Sequence, residues 1–392
     1  MPRTIPPKLE TIAGEPSWRF ASDRVDACLT RDGGHLAPVT FQTDAGPIQP
    51  FSIAPWCTDQ PNPAAAPGTD RVLRMLRGDF FCAPFGGGLP FNGEAHPSHG
   101  ESATARWTRP SLTVTPGGRT EFSVTLNTRV RRGRLIKRLS LRAGETNLYS
   151  RHEFHGYSGP MNFGHHAMLA FPDEAGAGRL AFSPWSHGSV YPHEIEEPAL
   201  GGYSSLKINA RFRDLRRVPL AAGGFTDLTH YPSRAGFEDI VMLSSKRPAK
   251  PTATPHLAWT AVTFPAQRYV WFALKDTRTL ASTVLWHSNG GRHYPPWNGR
   301  HRRVLGLEDV TSFFASGLVR SAEPNALSRA GIPTVIELQP DRPLMVNYIM
   351  AVAAIPRGFD TVKSLTFHRD HVRLVSASGK RFEHAVDLAH FD

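Results

Sequence analysis

What most limits the folds open to this chain is the way its apolar pattern is punctuated. Apolar residues recur at every second position over short runs, and Gly, Pro or Asp turns separate the runs. Phe122, Val124 and Leu126 alternate with Ser123, Thr125 and Asn127. A period of two puts one face of an extended strand in a core and the other in water. Comparable runs lie at Leu139–Leu141, Tyr149–Tyr157, Tyr269–Leu274, Thr334–Leu338, Leu344–Val352 and Val372–Val375. Many short strands joined by turns predict an all-β fold, a large antiparallel β-sandwich with few short helices. Asp32-Gly33-Gly34 and Ser378-Gly379 have the composition of hairpin turns. One stretch is spaced as a helix: Val310, Phe313, Phe314, Ala315, Leu318 and Val319 follow Asp309, a suitable N-cap, which predicts a short helix over 309–319. Gly86-Gly87-Gly88 matches neither dinucleotide-binding nor P-loop spacing, so nucleotide binding finds no support.

With 34 Gly and 34 Pro spread from end to end, no segment reads as an interdomain linker. Residues 1–16 are expected to form a Pro-rich tail lying loosely on the surface, and 17–392 a single domain. Hydrophobic residues at 40% and charged residues at 20% argue against wholesale disorder. No uncharged apolar run approaches the roughly 20 residues that span a bilayer. The opening MPRTIPPKLETIAGEPSW lacks the apolar core of a signal peptide. The expectation is a cytoplasmic protein with no membrane association. Cys28, Cys57 and Cys82 make neither a disulfide framework nor a CxxC site. A formal net charge of +11 suits a polyanion. The basic residues are dispersed, however, and their short clusters (Arg129–Arg138, Arg211–Arg217, Arg300–Arg303) sit in no recognisable nucleic-acid motif. No nucleic-acid partner is expected, and an anionic small substrate explains the surplus as well.

Three segments hold more polar chemistry than a plain β core requires: 77–107, 161–168 and 286–309. For a metal, His96/His99, His152/His155 and His165/His166 offer imidazoles and Glu101 or Glu153 a carboxylate, but there is no HExxH. His165 and His166 on one strand point to opposite faces. No metal and no cofactor are expected. No GxSxG is present, and Cys82 in Phe-Phe-Cys-Ala-Pro reads as core rather than nucleophile. General acid–base chemistry is better served. A histidine exchanges protons near neutrality. Glu308, set among Leu305, Leu307 and Val310, would be partly desolvated and its pKa raised. Trp107, Trp286, Trp297 and Tyr294 are flat apolar surfaces of the kind on which sugar C–H faces stack, with Arg, His and Asn nearby for the hydroxyls.

At these residues the chain resembles the galactose mutarotase-like (aldose 1-epimerase-like) superfamily, and more nearly an uncharacterised branch of it. Asp32-Gly33-Gly34-His35-Leu36 resembles the turn after the family's first strand. His99-Gly100-Glu101, with Trp107 after it, resembles the His-Gly motif whose histidine contacts the sugar. Gly164-His165-His166-Ala167-Met168-Leu169 resembles the Asn-His-Thr-Tyr-Phe segment that carries the acid, and Leu305-Gly306-Leu307-Glu308 the segment that carries the base. The resemblance implies a supersandwich with the site on its concave face. It also implies a cofactor-free isomerase of carbohydrate metabolism that interconverts α and β anomers of an aldose, with His166 and Glu308 as the catalytic pair. By the same resemblance and the segment chemistry, His99, Arg77, Trp107, His165, Arg292 and Trp297 are the substrate-binding candidates.

The pattern also departs from the family's. His165 stands where Asn is usual and Ala167-Met168 replace Thr-Tyr, so a register shifted by one would make His165 the acid. Arg77 stands in for an Asn-Arg pair, and Asp227 or Asp239 for a substrate-binding Asp. A carbohydrate-binding protein without turnover is the alternative function, and a polysaccharide hydrolase or lyase a third. Arg292, between Gly290-Gly291 and Pro295-Pro296, invites an anionic sugar, a sugar phosphate or uronic acid. The sequence leaves the oligomeric state open.

Overall fold

The computed structural model describes residues 3–248, 250 and 255–392. Its strands form two large antiparallel sheets. One has ten strands, in the order Arg3–Ile5, Thr108–Val114, Arg119–Thr128, Gly133–Arg142, Asn147–His155, Leu344–Ala354, Tyr269–Asp276, Leu257–Phe264, Gly178–Phe182 and His230–Tyr231. The other runs Arg211–Phe212, Trp185–Val190, Glu238–Ser245, Ser282–Ser288, Val304–Thr311, Phe163–His165 and Phe81–Cys82, with Ala167–Ala170 also paired to Val304–Thr311. A five-stranded sheet over Leu9–Ile48 and a three-stranded one over Val362–Ala385 complete the main framework. The alternating runs read from the sequence at 122–128, 139–141, 269–274, 344–352 and 372–375 all fall in these strands.

Alternation decides what each face buries. On Val304–Thr311, Leu305 and Leu307 enter the core shared with Phe122, Leu139, Trp271 and Met350 of the ten-stranded sheet. Val304 and Val310, one step out of phase, join a second apolar cluster with Trp286, Trp297, Phe80 and Phe85. That cluster covers the opposite face of the eight-stranded sheet. Buried charge lies between the layers: Lys275 Nζ is 2.5 Å from Asp309 Oδ1, and Tyr348 donates to Asp309 Oδ2 at 2.9 Å.

The structure corrects two expectations. The residues expected to be a loose tail pair instead, from residue 3 onward. Arg3–Ile5 adds to Thr108–Val114, and Leu9–Ile12 to Glu15–Ala21, with Pro6 and Pro7 falling between the two strands. The 309–319 helix is displaced to Gly317–Ala322. Asp309 cannot cap it, because Asp309 and Val310 are ladder residues opposite Thr283 and Ser282, and the Asp309 carboxylate is committed to Lys275.

Candidate active site

A cavity of about 360 Å³ opens on the outer apolar cluster, within the roughly 300–1,000 Å³ of small-molecule sites. Asp70, Ser98, His99, His166, Trp286, Arg292, Tyr294, Trp297 and Glu308 line it with apolar neighbours. Strand phase places the central pair. Glu308 and Trp286 project from adjacent strands on the same side, because Trp286 pairs with Gly306 and Val284 with Glu308. His166 sits where Phe163–His165 passes into Ala167–Ala170; its N–H donates to Phe80 O at 2.9 Å. Its ring stacks on Phe80, with centroids 4.4 Å apart, and His35 stacks on Phe80 at 4.0 Å.

His166 Nε2 lies 3.2 Å from Glu308 Oε1. Burial pushes the Glu308 carboxyl well above its usual range, and burial, with His99 nearby, pushes His166 well below its own. Both shifts favour the uncharged pair, a protonated carboxyl beside a neutral imidazole. Glu308 Oε1 and His166 Nδ1 nonetheless lack a well-aligned hydrogen bond. Buried polar atoms without a partner are rare in a folded core, and two of them on one pair mark it as a candidate for chemistry rather than packing.

Opposite the pair, Arg292 is held flat. Its guanidinium carbon lies 4.4 Å from the Trp297 ring centre and 5.4 Å from that of Trp286. Its Nε donates to Glu196 Oε1 at 2.5 Å, and Tyr294 donates to Glu196 Oε2 at 3.0 Å. Behind it, Glu238 accepts from Trp286 Nε1 and Ser288 Oγ, each at 3.0 Å, and from the Gly291 amide at 3.2 Å. Burial raises Glu238 to about 7, with Arg292 pulling the other way.

Five of the sequence candidates therefore meet in one cavity: His99, His166, Arg292, Trp297 and Glu308. Three do not. Arg77 is buried and donates to the carbonyls of Met75, Ile12 and Ala13, which ties down the first hairpin. Trp107 is buried beneath Gly34 and donates to Ser102 O. His165 faces the inter-sheet core, 2.8 Å from Asp79 Oδ2 and stacked on Tyr348 at 4.1 Å. Adjacent strand residues alternate faces, which is why His166 and not His165 reaches the cavity. Asp239 is spent on Ser205, Leu206 and Arg234, and Asp227 on its own turn with Thr229. Of the imidazoles weighed as metal ligands, His99 meets His166 and His152 meets His165, each pair with ring centroids 5.0 Å apart, but the described residues hold no group of three His, Cys, Asp or Glu placed to bind an ion.

Sequence reasoning missed Asp70, Glu196 and Glu238. For Glu238 a signal was present: Glu238-Asp239-Ile240 repeats the order of Glu308-Asp309-Val310, a carboxylate in an apolar strand run. Glu196 comes from a loop with no such signature.

No protein-family model matches the chain, and no curated protein matches it in sequence. Solved structures do. A provisionally named aldose 1-epimerase from Klebsiella pneumoniae superposes with a TM-score of 0.59 at 13% identity, over 87% of this chain and 80% of that one. A provisionally named mutarotase from Salmonella typhimurium gives 0.54 at 11%, over 89% and 97%. A galactose mutarotase related enzyme from Lactobacillus acidophilus gives 0.51 at 10%, over 87% and 99%. At these identities the likeness shows the fold, which is the one the sequence resemblance implied. No helix among the described residues is long and apolar enough to cross a membrane.

Proposed function

On the premise of a galactose mutarotase-like β-sandwich, we propose that the chain is an aldose 1-epimerase, interconverting the α and β anomers of a small sugar. The observation that carries this reading is the 3.2 Å approach of His166 Nε2 to Glu308 Oε1 in a cavity walled by two tryptophans. Anomer exchange needs one acid and one base that trade roles, and this pair sets a carboxyl and an imidazole within proton-transfer distance of each other. In the working state the proton has passed from Glu308 to His166. The Glu308 carboxylate takes the proton of the C1 hydroxyl while His166 gives its proton to the ring oxygen. The C1–O5 bond breaks as the C1 carbonyl forms. After rotation about C1–C2, O5 attacks the other face of the carbonyl, His166 recovers the O5 proton and Glu308 returns its proton to the C1 oxygen. Each transfer is worth about 10²–10⁴-fold.

Arg292 lines the cavity, and its charge is matched by Glu196 beside it. It therefore offers directed hydrogen bonds without surplus positive potential, and the sugar we propose is a neutral aldose rather than a phosphate or uronate. The test is magnetisation transfer between the α and β anomers of a panel of aldoses at catalytic protein concentration. Enhanced exchange for at least one aldose supports epimerisation. Saturable binding without enhanced exchange for any of them would favour the binding-protein reading.

A further inference from the structure

His99 enters the cavity from a turn clamped to the strand behind it. A Cβ on Gly100 would stand 2.1 Å from Ala83 O, and Ala83 and Gly100 bridge in parallel. This clamp sets the His99 ring against two groups of known character. Its Nδ1 is 3.3 Å from Cys82 Sγ and 3.4 Å from the backbone N of Gly86. An amide N–H can only donate, so Nδ1 must present a lone pair. The Cys82 thiol is fully buried, and burial holds it well above its ordinary range, so it keeps the proton it can share with Nδ1. A neutral imidazole with a bare Nδ1 carries its hydrogen on Nε2.

We propose that Cys82 is a positioning residue. With the Gly86 amide it fixes His99 as the Nε2–H tautomer, so that His99 is a permanent hydrogen-bond donor to a sugar oxygen and takes no part in proton transfer. The inference rests on the aldose reading for its substrate and on the Cys82–His99–Gly86 geometry for its tautomer. Two features agree with it. The His99 and His166 rings are 5.0 Å apart, too close for both to be cationic without strong repulsion, and desolvation holds His99 at about 4. A fixed donor also discriminates. It accepts a hydroxyl or ring oxygen at its subsite and rejects an ammonium there, because two donors would face each other.

The test begins on the unmodified protein. Long-range proton–nitrogen spectra of ¹⁵N-labelled protein at neutral pH report the tautomer of each histidine, and the His99 signal is assigned by its loss in His99→Gln. A bare Nδ1 with a protonated Nε2 is expected. A protonated Nδ1, or both tautomers in comparable amounts, overturns the proposal. Cys82→Ala leaves only the long 3.4 Å contact from the Gly86 amide to keep Nδ1 bare, so it should admit the Nδ1–H tautomer and raise KM about five- to tenfold, the worth of one neutral hydrogen bond. Its kcat and pH profile should hold, and Cys82→Ser should restore part of the loss. An unchanged tautomer in Cys82→Ala would remove Cys82 from the role. If no aldose is turned over, the functional reading fails, while the nitrogen spectra still decide the tautomer.

Discussion

Gly306→Ala tests whether the carboxylate of Glu308 must stand where it does. Gly306 lies mid-strand, opposite Trp286 on one side and Met168 on the other, with no left-handed backbone to protect. A Cβ there would be 2.4 Å from Glu308 Oε1 and 3.1 Å from Trp286 Cβ, where ordinary contact begins at 3.4 Å. The carboxylate must withdraw by about 1 Å, the difference between 3.4 and 2.4, and so leave its 3.2 Å approach to His166. A displacement of about 1 Å at a reacting group costs on the order of 10²-fold in rate. Stability should fall by no more than about 2.5 kcal/mol: crowding costs about 1–3 kcal/mol, and replacing Gly in a strand returns about 0.5–1 kcal/mol. Anomer exchange and urea unfolding, measured on the same preparation, separate the two. A variant that folds normally and loses about a hundredfold in exchange is the expected result. A folded variant with the full rate would refute the placement of Glu308 as the working carboxylate.

Buried and half-buried histidines should make the fold acid-sensitive. Burial lowers His35 and His301 to about 3 and His99, His384 and His390 to about 4. The unfolded chain takes up these protons below about 6.5 and the folded one refuses them, so stability is full above that pH and falls toward 4. Each imidazole costs roughly 2 kcal/mol at pH 5. Glu238 and Glu308, which burial raises, bind protons more tightly in the folded chain as the pH falls and offset part of it. Urea unfolding at pH 7.5 and 5.0 should show a net loss of a few kcal/mol, and equal stabilities would contradict the burial. Arg77→Ala should lower stability by about 2–4 kcal/mol, because three backbone carbonyls lose their donor. Its KM should hold, and a raised KM with unchanged stability would return Arg77 to the substrate site. Isothermal titration with glucose, glucose 6-phosphate and glucuronate should show no gain for the anions at low salt. A tenfold preference for either anion, abolished by Arg292→Ala, would overturn the neutral-sugar assignment.

Much of the fold was legible because strand alternation is a local property. Leu305 and Leu307 against Val304 and Val310 already say which face of their strand meets which core. The same alternation separates His165 from His166, and it is why the pair at 166 and 308 was within reach of the sequence. Arg77 and Trp107 were misplaced for a different reason. A buried arginine serving three carbonyls and an arginine serving a ligand have the same local sequence, and only tertiary placement distinguishes them. Asp309 shows the converse. A helix N-cap signal was overridden because a buried lysine, 34 residues earlier in the chain, claimed the carboxylate and the ladder claimed the backbone. Glu196 was out of reach, since nothing around it in sequence marks a loop carboxylate that will meet Arg292.

Proton exchange between a sugar and the pair His166 and Glu308 is tested by anomer exchange in His166→Asn and Glu308→Gln, with His165→Asn alongside. On an aldose the protein turns over, each of the first two should lower the catalysed exchange at least about a hundredfold with the fold retained. His165→Asn, which breaks a core contact to Asp79, should lower stability while leaving the exchange rate of the folded protein near its original value. Loss of exchange in His165→Asn with none in His166→Asn would contradict the account.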